Sequence, residues 1–324
     1  MIKENIIGID IGGTKISYGL LKLDGNLIDT ITLPALADKP KEIFINQLIT
    51  GINNLLTNNN IDINIIKGIG ICCPGPINPI TGDIINPPNL PMLWNTNLIQ
   101  LIKRYYKVPI KVENDANAAA LAEILIGAAK NLNNILYVTV STGIGTGIII
   151  DRKIYHGKNG LAGEGGHISI NYHDKIKCNC NAPGCIESIA SGTGIASKAK
   201  ELIITNQVQN SLLKSFSDNP DQISAKQIAE FAKQNDSLSI ALIEESAFNI
   251  GAWLGGMINL LDPDMIVIGG GVSFTGELFF NKVRATALKF TYNIFASETP
   301  IMPAKLKTNA GIYGAASLFL NDIN

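Results

Sequence analysis

Three cysteines, Cys178, Cys180 and Cys185, fall within eight residues, and His167 lies eleven residues upstream of the first. Three thiolates and an imidazole suit tetrahedral Zn²⁺, and four protein ligands leave no open position, which describes a structural rather than a catalytic site. His173 competes as the imidazole. A disulfide within the cluster is the rival chemistry, but it would leave an odd thiol and need an oxidising compartment. Pro183 and Gly184 ahead of Cys185 fit a tight turn wrapped around a metal. Cys72 and Cys73 end an apolar stretch and read as inert core thiols.

Glycines gather in three turns, each directly after an apolar stretch: Gly12-Gly13-Thr14, Thr142-Gly143-Ile144-Gly145 and Gly269-Gly270-Gly271. One such turn would be an ordinary tight hairpin. Three of them, two with threonine hydroxyls, suit a polyphosphate, because backbone N–H groups can approach its oxygens with no Cβ in the way. The GxxxxGK[ST] pattern is absent, and neither later glycine run has the dinucleotide-binding spacing. A nucleotide held between two β-hairpins remains. Asp10, at the end of the first strand, is either a turn-capping carboxylate or a neighbour of the phosphates, and the second role calls for Mg²⁺. Glu113-Asn114-Asp115 is a polar cluster between two apolar elements. Asp115 is well placed as a helix N-cap. It is equally the carboxylate that phosphoryl transfer to an alcohol needs, and capping would fix that side chain.

These groups need elements to hold them. Apolar alternation and turn residues predict strands over Ile6–Asp10, Lys15–Leu21 and Leu27–Leu33, a helix over Pro40–Thr57 and a buried strand over Ile66–Cys72. A Pro/Gly-rich loop runs from Pro74 to Pro91, followed by a helix over 96–106, a strand Ile110–Glu113 and an Ala-rich helix from Asp115 to about Gly127. The pattern then restarts: strand Ile135–Val140, glycine turn, strand Thr146–Asp151. After a loop over 157–185, the chain is mostly helical, with a long helix Ser237–Leu261, a strand Asp264–Ile268 and helices near Gly276–Phe290 and beyond Asn309. Strand–turn–strand therefore occurs twice, as in two halves of related α/β architecture with mixed sheets.

The chain has 324 residues, 46% hydrophobic and only 16% charged, with net charge −1 and mean hydropathy +0.20. It is oily, yet no stretch approaches the roughly 18 uninterrupted apolar residues of a membrane span. The expectation is a cytoplasmic protein with no membrane association. The balanced charge and lack of a basic stripe exclude nucleic acid as a partner.

The runs D-I-G-G-T-K (Asp10–Lys15), E-N-D-A-N-A-A-A (Glu113–Ala120), S-T-G-I-G (Ser141–Gly145), G-E-G-G-H (Gly163–His167), C-N-C-N-A-P-G-C-I-E (Cys178–Glu187) and G-G-G-V-S (Gly269–Ser273) occur in one order. Together they resemble the bacterial sugar kinases of the ROK family, and most closely its glucokinases. The resemblance covers nearly the whole chain. It implies the actin-like ATPase/hexokinase superfamily, with two ribonuclease-H-like domains closing on ATP and sugar: residues 1–115 plus 310–324 as the smaller, and 116–309 as the larger with the zinc loop. It implies Asp115 as the catalytic carboxylate, and Gly75, Asn114, Glu164, His167 and Glu187, with Asn89, around the sugar hydroxyls. ATP and its Mg²⁺ would be met by Asp10, Gly12, Gly13, Thr14, Lys15, Thr142, Gly143, Gly269, Gly270 and Gly271. The zinc ligands would be His167, Cys178, Cys180 and Cys185, so the resemblance selects His167 over His173.

The activity that the resemblance implies is ATP-dependent phosphorylation of a hexose 6-hydroxyl, glucose first, with N-acetylglucosamine or N-acetylmannosamine as alternatives, in a homo-oligomer with a dimer favoured. The family's sugar-responsive repressors are the reading from another class. They carry a DNA-binding module ahead of the first phosphate motif, and that motif here begins at Asp10, leaving no room for one. The chain departs from the family pattern at Asn181, Gly165 and Thr146, where the family usually has glycine, an aliphatic residue and glycine. Asn tolerates left-handed backbone better than other residues with a Cβ, so the turn at Asn181 is expected to survive.

Overall fold

A computed structural model describes residues 3–85, 87, 89–173 and 176–320. The expected loop positions 86, 88, 174 and 175 and the last four residues of the expected C-terminal segment lie outside the described residues. The chain opens with β1 (Asn5–Ile11), β2 (Lys15–Lys22) and β3 (Leu27–Pro34), then α1 (Lys41–Asn58) and β4 (Ile66–Cys73). Short strands β5 (Asp83–Ile84) and β6 (Thr96–Asn97) lead to α2 (Leu98–Lys103), β7 (Ile110–Asn114) and α3 (Asp115–Leu125). The second run is β8 (Ile135–Val140), β9 (Ile144–Ile150) and β10 (Lys153–Ile154), with helices α4 (Ile186–Ala190), α5 (Gly192–Ile204), α6 (Ala225–Lys233) and α7 (Ser237–Leu261). It ends with β11 (Met265–Gly269), α8 (Glu277–Ala287), β12 (Ile301–Pro303) and α9 (Ala310–Leu320).

Two five-stranded sheets result, in the orders β3-β2-β1-β4-β7 and β10-β9-β8-β11-β12. In each, the opening strand of its run is central, the next two strands lie outward on one side, and two later strands complete the other. The doubled hairpin read from the sequence is thus a doubled sheet. In the first sheet β1–β2 and β2–β3 are antiparallel, while β1–β4 and β4–β7 are parallel, with Asp10 beside Cys72 and Cys73 beside Asn114. That register brings Asp10 and Asn114 to the same end of the sheet, because parallel strands finish their carboxyl ends together.

The chain divides into two compact units, residues 1–135, 147–163 and 305–324, and residues 136–146 and 164–304. The boundary differs from the one expected after Asp115: α3 stays with the first unit because it packs on α9. In that unit α1 covers one part of the sheet through Phe44, Leu48, Ile52 and Leu55, all fully buried. Helix α9 lies on β1 and β4, and a Cβ at Gly70 would run into the Ala315 carbonyl oxygen, so only glycine lets the helix approach. The expected helix over 96–106 is shorter, capped by the Asn97 side chain accepting from Gln100 N. In the second unit α7, fully helical over Ser237–Leu261 as its pattern predicts, packs on α8. Among the described residues no helix is long and apolar enough to cross a membrane.

Candidate active site

In the first unit the site begins where β1 meets β2. Gly12 N donates to the Lys15 carbonyl at 2.9 Å, which closes the turn through Gly13 and Thr14 and leaves Thr14 and Lys15 exposed. Asn89 comes against Gly13, 3.3 Å from where a Cβ would stand. Asp10 is half-buried on the start of α9: a Cβ at Gly311 would fall on its Oδ2. The Cys72 thiol donates to Asp10 Oδ1 at 3.5 Å and to the Gly311 carbonyl at 3.3 Å. Burial first, and the Asp115 charge second, push the Asp10 carboxyl up to about 6. A desolvated carboxylate whose charge a second carboxylate disfavours is the donor chemistry a hard divalent cation relieves, so the residues present fit Mg²⁺ at Asp10.

Asp115 is not the cap of α3. Asn114 is: its side-chain oxygen accepts from Ala116 N at 2.9 Å and Asn117 N at 3.2 Å, while Asp115 takes the first helical position. The cap needs an extended backbone and a short acceptor, both of which Asn114 supplies as the last residue of β7. Asp115 Oδ1 accepts from Ala116 N at 2.8 Å, and burial raises its carboxyl above the usual carboxylate range. Gly75 adjoins this cap, 3.1 Å from Asn114 Nδ2 for an added Cβ, beside a cis Gly75–Pro76 bond. Gly75, Asn114, Asp115 and Asp10 are therefore brought together.

In the second unit Ser141, Thr142 and Gly143 turn the chain between β8 and β9, and the strand starts at Ile144, two residues before the expected Thr146. Gly192 N donates to the Ser141 carbonyl at 2.7 Å and Thr193 N to the Thr142 carbonyl at 3.3 Å, which seats the start of α5 on this turn. A cavity of about 700 Å³ opens here, lined by Thr142 and Gly271 together with Thr193, Lys200, Lys226 and Phe274. Of the residues expected at the nucleotide in this unit, Gly143 does not line it, and neither do Gly269 and Gly270. The latter two pack on Tyr137 and the Val140 backbone, making the turn that presents Gly271. The last four lining residues were not legible as ligands, since on α5, α6 and an exposed turn they read as ordinary amphipathic surface. The Gly192-Thr193-Gly194 start of α5, following Ser191, was the available signal.

Glu187 ties this turn to the cysteine loop. Its Oε2 accepts Ile144 N at 2.9 Å and fills the space a Cβ at Gly143 would need, and Oε1 lies 3.8 Å from Cys178 Sγ. Gly143 thus makes room for Glu187. Glu164 precedes a single 3₁₀ turn, Gly165–His167, with its carboxylate half-exposed and 3.9 Å from His167 Nε2. The other ring nitrogen, Nδ1, is 3.5 Å from Cys178 Sγ. The ligand atoms of His167, Cys178, Cys180 and Cys185 all lie within 4.8 Å of one another, and Cys180 Sγ is 3.6 Å from Cys185 Sγ. A tetrahedron with Zn–S bonds of about 2.3 Å has edges of about 3.8 Å, so the four atoms fit that ion. All three cysteines are free thiols, and His173 is not in the group. Asn181 has φ 69°, the left-handed conformation expected of it, and its N–H donates to the Cys178 carbonyl at 2.8 Å. Two further departures meet each other: Gly165 N donates to Thr146 Oγ1 at 3.1 Å, and a Cβ at 165 would crowd that hydroxyl.

The model of the ROK family matches residues 6–322. The chain belongs to the ROK family. This ROK protein is 31% identical to a glucokinase of Halalkalibacterium halodurans, over 96% of its own length and 94% of the relative's. It is also 31% identical to a xylose repressor of Caldicellulosiruptor bescii, over 98% of its length and 79% of the repressor's. Its fold is similar to that of a ROK family glucokinase from Streptomyces griseus in complex with glucose and AMPPNP, with TM-score 0.82 at 30% identity, covering 97% of this chain and 98% of that one. The mixed sheets flanked by helices are those of the actin-like ATPase/hexokinase fold.

Proposed function

We propose that this ROK protein transfers the γ-phosphoryl group of ATP to the 6-hydroxyl of a hexose, with glucose the favoured substrate. The observation that carries the proposal is Asp115, held at the first position of α3 by its bond to Ala116 N, with a carboxyl raised by burial and beside a second carboxylate at Asp10. The glucokinases among its relatives support the reading. In the reaction, Asp115 accepts the 6-hydroxyl proton as the oxygen attacks the γ-phosphorus, and the bond to ADP breaks. As the resemblance implies, Gly75 and Asn114 orient the sugar, and Glu164, His167 and Glu187 accept from and donate to its hydroxyls. Glu164 matches the glucose and N-acetylglucosamine members in the resemblance.

The backbone of Gly12, Gly13, Thr14 and Lys15, and of Thr142 and Gly143, meets phosphate oxygens, with adenosine against Gly271. Asp10 would hold Mg²⁺, which would supply neutralising charge for those oxygens. His167, Cys178, Cys180 and Cys185 would hold a structural zinc, which would pin the Glu187 segment to the Glu164–His167 turn. A ligating His167 still presents Nε2–H outward, so binding metal and sugar together is consistent.

The test is ADP release measured across glucose, other hexoses, N-acetylglucosamine and N-acetylmannosamine. Turnover with glucose above the others is expected. No turnover with any of them, together with binding of a sugar such as xylose, would assign the chain to the regulator branch instead.

A further inference from the structure

Glu113 is a carboxylate that the proposed reaction leaves unused. It is the penultimate residue of β7 and only 3% exposed. Its Oε1 accepts the main-chain N–H of Asn114 at 2.9 Å and a side-chain N–H of Asn117 at 3.1 Å. Its Oε2 stands 2.6 Å from His156 Nε2, and since a carboxylate only accepts, the imidazole donates. Burial of such a group is tolerated when its oxygens are met by donors, and all three donors are present.

Two of the three contacts lead to the first turn of α3. Asn114 caps it, Asn117 is its third residue, and Asp115 stands between them. The oxygen of the Asn117 amide is buried with no partner among the described residues, so its bond to Glu113 anchors that side chain. The remaining Glu113 oxygen depends on His156, which lies past β10 on a half-exposed segment of the same unit. We propose that His156 is a positioning residue for the reaction: by holding the Glu113 carboxylate, it fixes Asn114 and Asn117 and so sets where α3 presents Asp115. The inference rests on Asp115 being the proton acceptor. Without the imidazole, Oε2 is left buried and unmet, and the carboxyl must rotate or protonate, releasing a donor at the helix start. Carboxylate placement within a fraction of an ångström matters to the chemical step, while nucleotide binding, which draws on the cavity beside Thr142 and Gly271, should be untouched.

Steady-state kinetics on the intact enzyme test this with His156→Ala, His156→Gln, Glu113→Gln and the Glu113→Gln/His156→Ala double variant. His156→Ala should lower kcat for glucose by about 10- to 100-fold, with KM for ATP unchanged. His156→Gln, which keeps a donor in reach of Glu113, should retain kcat within about threefold. The double variant should be no worse than the poorer single one, because both remove one interaction. Should His156→Ala fail to fold, Glu113→Gln, which keeps the native shape, carries the same expectation. A wild-type kcat in His156→Ala, losses that multiply in the double variant, or a change confined to KM for ATP would overturn the inference. Wild-type turnover is the control: its absence removes the kinase reading and this inference with it, whereas the other outcomes concern His156 alone.

Discussion

Asp115 and Asp10 share an end of the first sheet but should answer differently to removal of charge. For Asp115→Ala, turnover should fall by on the order of 10³-fold or more while the far-ultraviolet spectrum and cooperative unfolding persist, since the cap of α3 belongs to Asn114. Surviving turnover would show that another group takes the proton. Asp10 has its folded carboxyl at about 6, above the ordinary value of 3.8. An acid whose folded value is raised binds its proton more tightly when folded. The stability this gives is fully present below about pH 4 and is lost as pH rises through about 6. Asp10→Asn should therefore raise unfolding stability near pH 7 by on the order of 1–3 kcal/mol, from a shift of about two pKa units, while abolishing activity. A variant less stable than wild type at pH 7 would contradict the burial argument. In wild type, kcat/KM should already begin to fall near pH 6 on the acid side, and a profile flat to about pH 5 would count against the raised Asp10 carboxyl.

At the scale of elements, much of the site could be read because glycines and polar residues interrupt apolar strands: the turns at Gly12-Gly13 and Thr142-Gly143, the start of α3 and the cysteine loop all stand where their residues predict. What could not be read depended on partners distant in sequence. The choice of Asn114 over Asp115 as cap turns on one residue of backbone register, and Glu187 filling the space over Gly143 needs two segments far apart in the chain to meet. Lys200 and Lys226 line a cavity only because α5 and α6 both border the Thr142 turn. The cysteine loop makes the sharpest prediction here. Removing zinc with a chelator, or Cys178→Ser, should lower the melting temperature and raise KM for the sugar, because Glu187 and His167 lose a common anchor. Elemental analysis should find one zinc per chain. An apo protein with unchanged melting and no zinc would rule the metal out.

Over the whole molecule, the doubled architecture was legible because the sequence repeats its opening pattern, whereas the strand order that the two five-stranded sheets share was not. The division into units was not legible either, because the helix that begins at Asp115 packs on α9, at the far end of the chain, and no local signal announces that pairing. The division has a measurable consequence. All four candidate zinc ligands belong to the second unit, residues 136–146 and 164–304, whereas β1, β4, α3 and α9 belong to the first, where Cys72 of β4, Ala118 of α3 and Ala315 of α9 pack together. Opening free energies vary between cooperative parts of a protein, so loss of a metal should act first on the part it holds together. Hydrogen exchange after chelation should accelerate in the Glu164–His167 turn, the 176–187 loop and the start of α4. Protection in β1, β4 and α9 should stay within about twofold of its starting value, because their amides open through a core the metal does not touch. If exchange rose equally in both units, the metal would be stabilising the molecule globally, and the two units would have to be treated as one cooperative fold.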